Sequence, residues 1–77
     1  MITGEDVRQI REFLGMSRDS FAERIGCSPQ FVYLAESGRR GVSIALRKSL
    51  RRVVNGEEFR ALEKRLAELK KELEAEA

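Results

Sequence analysis

The 77 residues contain no histidine, and only one cysteine and one proline. Histidine is the usual general base and the commonest metal ligand at neutral pH, so its absence removes the ordinary routes to acid–base and metal chemistry. Cys27 stands alone, which excludes a disulfide or a cysteine-based metal site within one chain. No phosphate-binding glycine loop and no paired His/carboxylate spacing occurs. No stretch is apolar for long enough to cross a bilayer, and Met1-Ile2-Thr3-Gly4-Glu5-Asp6 lacks the basic and apolar regions of a signal peptide. These absences lead us to expect a cytoplasmic protein that is no enzyme, needs no cofactor or metal and has no membrane partner.

The length suits one domain with a modest core, to which partner contacts or a dimer seam would add stability. Charge is unevenly spread. Residues 1–56 carry ten basic and six acidic side chains, a balance of +4, whereas residues 57–77 carry five and seven, a balance of −2. Between positions 37 and 56 stand Arg39, Arg40, Arg47, Lys48, Arg51 and Arg52 with no acidic residue. Such a segment suits a polyanion partner, and it equally suits a solvated helix face.

No segment alternates apolar and polar residues as a strand does, and no proline interrupts an element, so the fold class is all-α with five helices. Val7, Ile10 and Leu14 form the apolar stripe of a first helix, Glu5 to Leu14, capped by Thr3 or Gly4 and ended by Gly15. Ser17 caps a second, Arg18 to Ile25, whose buried face is Phe21, Ala22 and Ile25 and whose stop is Gly26. Ser28-Pro29 opens a third, with Val32, Ala35 and Glu36 on one side and Gly38 at its end. Ser43 caps a fourth through about Val54, with Leu46, Leu50, Val53 and Val54 inward, and Asn55-Gly56 terminates it. The fifth runs from Glu57 to about Glu76.

Two short helices joined by a tight glycine turn, the second opened by a cap and proline, describe a helix-turn-helix over Arg18–Ala35. The wider run is more specific: Val7-Arg8-Gln9-Ile10-Arg11-Glu12-Phe13-Leu14-Gly15-Met16-Ser17, then Phe21-Ala22-Glu23-Arg24-Ile25-Gly26-Cys27-Ser28-Pro29, then Glu36-Ser37-Gly38-Arg39-Arg40. Over about residues 4–54 it resembles the Cro/C1 family of helix-turn-helix regulators, also called the Xre family. The resemblance implies a lambda-repressor-like domain at residues 1–56 that binds double-stranded DNA in the major groove as a transcriptional regulator, with repression as the expected outcome. It implies an Arg11–Glu36 ion pair between the first and third helices, and the residues alone agree, because Glu36 shares the stripe of Val32 and a buried carboxylate needs a cation. It also implies base contacts from Gln30, Phe31, Tyr33 and Leu34, and phosphate contacts from Arg18, Ser28, Ser37, Arg39 and Arg40.

Three positions depart from the family pattern. Phe31 stands where Ser or Thr is common; it either reads a thymine methyl group or folds partly into the core. Leu34, in place of a long polar residue, points outward by helical geometry and suits methyl readout or a protein-binding face. Arg18 replaces the usual Gln and serves a phosphate better, against a slightly unfavourable helix dipole.

Phe59, Leu62, Leu66, Leu69 and Leu73 are spaced 3, 4, 3, 4, which is a heptad seam. With Phe59 at position a, a parallel pair sets Arg65 against Lys70, whereas an antiparallel pair matches Glu63 with Lys70 and Arg65 with Glu72. Residues 57–77 are therefore expected to form a dimerisation helix in an antiparallel homodimer that reads an inverted repeat; the alternative is that Phe59 and Leu62 dock on the chain's own core. The competing functional reading is an antitoxin or protein-interaction adaptor built on the same fold, with a protein partner.

Overall fold

In the computed structural model, which describes residues 1–76, the chain forms five helices: α1 (Gly4–Phe13), α2 (Arg18–Ile25), α3 (Pro29–Glu36), α4 (Ile44–Val54) and α5 (Glu57–Ala75). Among the described residues there is no strand, and no helix is long and apolar enough to cross a membrane.

Local chemistry sets the helix starts. The hydroxyls of Ser17, Ser28 and Ser43 each accept a bond from the backbone N–H three residues on, at 3.1 Å in every case. Thr3, rather than Gly4, caps α1. Its hydroxyl accepts from the Asp6 N–H at 3.3 Å, and the Asp6 carboxylate accepts in return from the Thr3 N–H at 2.8 Å. This reciprocal capping box starts α1 one residue earlier than the apolar stripe suggests. The bonds from the Thr3 N–H and hydroxyl hold the Asp6 carboxyl below its ordinary range.

The turn between α2 and α3 closes on Gly26, at φ +76°. Its N–H bonds to the Glu23 carbonyl, and the Cys27 N–H reaches back to Ala22 at 2.9 Å. This pairing satisfies the last carbonyls of α2 and needs a left-handed residue at its bend, which glycine adopts without a Cβ clash.

The core is Val7, Phe21, Ala22, Val32, Ala35, Leu46 and Leu50, drawn from α1 to α4, with Ile10, Leu14, Met16, Ile25, Cys27, Phe31 and Val42 packed round it. Phe21, Val7 and Val32 are the largest side chains wholly removed from water. Each contributes roughly 1.5–3 kcal/mol of transfer free energy. Helix α3 packs against both α1 and α2, α2 also meets α4, and α5 packs on α4 and reaches α1 through Phe59.

Helices α1 and α3 approach closely at one end. The first residue of α1, Gly4, lies against the backbone carbonyls of Ala35 and Glu36. The positive start of one helix thus faces the negative end of the other, a favourable alignment of dipoles. A side chain at Gly4 has no room, since a Cβ would overlap the Ala35 carbonyl oxygen. Gly4→Ala is therefore expected to lower stability by about 1–3 kcal/mol net through backbone displacement, because the propensity advantage of alanine belongs to helix interiors and Gly4 is the first residue of α1. Urea denaturation measures the loss; an unchanged or raised midpoint would mean the two backbones do not meet this closely.

Candidate nucleic-acid interface

The orientation of α3 is set at its C-terminal end. Glu36 is the only carboxylate of this helix, and its side chain is 3% exposed. The Arg11 Nε donates to Glu36 Oε2 at 2.7 Å and its Nη2 to Oε1 at 3.1 Å, a two-pronged bond from a guanidinium itself 12% exposed. The remaining prong, Nη1, donates to the Met16 carbonyl at 3.0 Å and braces the end of α1. The Glu36 carboxylate beside it raises the Arg11 pKa further above its ordinary value. From α2, the Arg18 Nε adds a third contact to Glu36 Oε1 at 3.3 Å. Three helices therefore converge on one carboxylate, and no buried side-chain nitrogen or oxygen among the described residues lacks a partner.

Beyond Glu36 the chain turns through Ser37 and Gly38, the latter at φ +78°. The Gly38 N–H bonds to the Ala35 carbonyl, and the N–H groups of Arg39 and Arg40 both reach the Leu34 carbonyl, at 3.1 and 3.2 Å. The Ser37 hydroxyl donates to the same oxygen at 3.1 Å. This left-handed bend folds the two arginines back beside α3 instead of leaving them on an extended strand.

The outward side of α3 carries Gln30, Tyr33 and Ser37, all exposed. Phe31 is half-buried, packs on the core and lies under the Arg40 guanidinium, 5.5 Å from the ring centre. Tyr33 lies under the Arg18 guanidinium at 5.3 Å. These are cation–π distances. Arg18 is thus shared between the buried carboxylate and an exposed aromatic ring, a double engagement that its position at a helix start does not reveal. Leu34 differs from expectation: it is half-buried rather than outward. The chain also returns to the Leu34 carbonyl through the Arg39 and Arg40 N–H groups, a fold-back that an isolated helix lacks.

Ser28 is exposed and spends its oxygen lone pair on the Phe31 N–H, which leaves its O–H free to donate outward. Arg39 and Arg40 are exposed. The basic residues of α4 divide between two faces. Arg47 borders a shallow depression together with Arg40, Gly38 and Val42, whereas Lys48, Arg51 and Arg52 line a different one. Sequence reasoning left Arg47 undistinguished among these four; its only signal is its distance in sequence from Ser43, which places it one turn into α4. Cys27 is half-buried, and burial raises its thiol pKa, so it carries little reactive thiolate.

The fifth helix divides the proposed seam. Phe59 packs on Phe13 of the same chain, with ring centres 4.8 Å apart and planes at 52°, and Leu62 is half-buried. Phe59 is therefore held by its own domain. Leu66, Leu69 and Leu73 remain exposed, at 55%, 37% and 68%. Comparisons with protein-family models, with curated proteins and with solved structures find no match to the chain.

Removing Glu36 strands the Arg11 guanidinium in a largely dry site. Glu36→Ala is expected to cost about 3 kcal/mol. The double replacement Arg11→Met with Glu36→Leu is expected to cost less than Glu36→Ala alone, because no unpaired charge is left behind. Chemical denaturation of Glu36→Ala, Arg11→Met, Glu36→Leu and the double decides this, and simple additivity of the last three would refute a coupled pair.

Proposed function

We propose that the chain binds double-stranded DNA by placing α3 in the major groove, and that it acts as a sequence-specific transcriptional regulator of the Cro/C1 kind, a homodimer reading an inverted repeat. The observation that carries this reading is the charge arrangement of α3. Its sole carboxylate is withdrawn into a pair with Arg11, so the outward side offers neutral hydrogen-bonding groups flanked by arginines. A helix entering a groove lined by phosphates gains affinity when it presents no unpaired negative charge.

The parts then take distinct roles. Gln30, exposed in the first turn of α3, has the donor and acceptor spacing that matches adenine N6 and N7. Tyr33 offers a hydroxyl to a base edge or a phosphate, with Arg18 holding its ring. Ser28, Ser37, Arg39 and Arg40 serve phosphates at the two ends of the helix, and Arg47 joins Arg40 there. Such contacts set register and affinity, whereas base contacts set sequence preference. Phe31 and Leu34 have a smaller share in this scheme than their positions suggested, since each is half-buried. The same burial weakens the adaptor alternative, which drew on an apolar outward side of α3. A cytoplasmic location belongs to the same proposal.

Selection of bound duplexes from a random pool is the direct test, with a two-fold-related sequence motif as the expected product. Gln30→Ala is expected to lose about 1–3 kcal/mol of discrimination at one base step. Arg40→Ala is expected to weaken binding to all sequences and to reduce the salt slope by about 1. No enrichment, or both variants binding as the parent does, would overturn the reading.

A further inference from the structure

We propose that α5 pairs antiparallel with α5 of a second copy of the chain, and that the partner's Leu73 seats in the groove between α1 and α5 of the first. The inference deepens the homodimer element of the proposed function and rests on that element alone.

The groove is lined by Phe13, Phe59, Glu63, Leu66, Ala67 and Lys70. Its floor is the Phe13–Phe59 pair, and its charged rim is Glu63 and Lys70. The heptad register that layers Leu66 on the partner's Leu69 also layers Leu62 on the partner's Leu73. A knob at Leu73 then enters the hole between Phe59, Leu62, Glu63 and Leu66, which opens onto this groove. The structure thus supplies a receptor for the one leucine that its own domain leaves most exposed, at 68%. Helix α5 has no fully buried residue, and its 19 residues span about 28 Å. The molecule measures 43 Å along its longest axis against 22–23 Å along the others, so much of this helix overhangs the domain.

Charge selects the occupant and its direction. Among the described residues, Glu63, Lys70 and Glu72 have no ion-pair partner within the chain. In the antiparallel register the partner's Lys70 meets Glu63 at the groove rim and the partner's Glu72 meets Arg65, and the two-fold axis repeats both contacts. A parallel pair sets Arg65 against the partner's Lys70 and Glu63 against the partner's Glu58, which repels twice. Glu58 and Arg65 each already hold an intrachain partner, Arg24 at 2.7 Å and Glu68 at 3.6 Å, so the choice of direction rests chiefly on Glu63 and Lys70. A second copy therefore complements this surface in one direction only, and the two helix-turn-helix units stand at opposite ends of the paired α5 helices.

Sedimentation equilibrium of the full chain in low salt, without DNA, tests the inference. The parent is expected to be a dimer. Leu73→Glu, at a position whose side chain the chain's own core does not cover, is expected to give a folded monomer, with helicity followed by circular dichroism. Glu63→Lys and Lys70→Glu are each expected to weaken the dimer on the order of tenfold, since each converts two attractions into repulsions. The double swap Glu63→Lys with Lys70→Glu is expected to restore it. A monomeric parent, a dimer indifferent to Leu73→Glu, or single swaps that tighten association, as a parallel pair requires, would each overturn the proposal. DNA binding is titrated separately, so loss of operator binding with the dimer intact counts against the DNA reading and leaves this inference standing.

Discussion

The carboxylate of Glu36 is the one group at which α1, α2 and α3 are all tied together. An ionised carboxylate withdrawn from water is costly unless cations and hydrogen bonds replace its solvent. Arg11 supplies a two-pronged partner at 2.7 and 3.1 Å, and Arg18 a third donor at 3.3 Å. Because these donors come from α1 and α2, the compensation is available in only one mutual arrangement of the three helices. The apolar core alone would tolerate small rotations of α3 about its axis. The charge cluster does not, and the Ala35 and Glu36 carbonyls against Gly4 leave no slack at the same corner.

That constraint has a second effect at the surface. Burying Glu36 leaves α3 with no exposed charge of its own, and the basic groups near it are carried by other segments. Arg18 comes from α2, Arg39 and Arg40 from the turn after α3, and Arg47 from α4. A stiff neutral helix is thereby framed by long cationic side chains, two of which already rest on aromatic rings, Arg18 on Tyr33 and Arg40 on Phe31. In the DNA-binding reading proposed above, such stacking would reduce the conformations these arginines give up on meeting a phosphate.

Much of the scaffold was legible in the residues because its signals are local. Ser17, Ser28 and Ser43 are caps whose partners lie three residues away, and Gly26 and Gly38 sit at bends that demand positive φ. The Arg11–Glu36 pairing needed only the stripe of Val32 and the requirement that a buried charge be matched. What was not legible depends on contacts between segments. The half-burial of Leu34, beside a 37–40 turn that returns to its carbonyl, lies outside what helical periodicity contains. The sharing of Arg18 between Glu36 and Tyr33 spans three helices. The cap of α1 was ambiguous between Thr3 and Gly4 until the approach of α3 supplied the reason for glycine.

The heptad in α5 shows the same limit in a more useful form. A 3-4 repeat states that one side of a helix is apolar, and it is silent on what covers each position. Phe13 covers Phe59, and Leu62 is half-covered, so the first turns of α5 are consumed in attaching the helix to its own domain. The periodicity nonetheless continues through Leu66, Leu69 and Leu73, well past the last intrachain contact it can serve. Three exposed leucines on one stripe cost solubility without contributing to the monomer's core. Under the pairing proposed above, this stripe, flanked by Glu63, Lys70 and Glu72 with no ion-pair partner among the described residues, is what an inverted copy of the helix would cover, while Phe13 anchors the other end of α5 to its own domain.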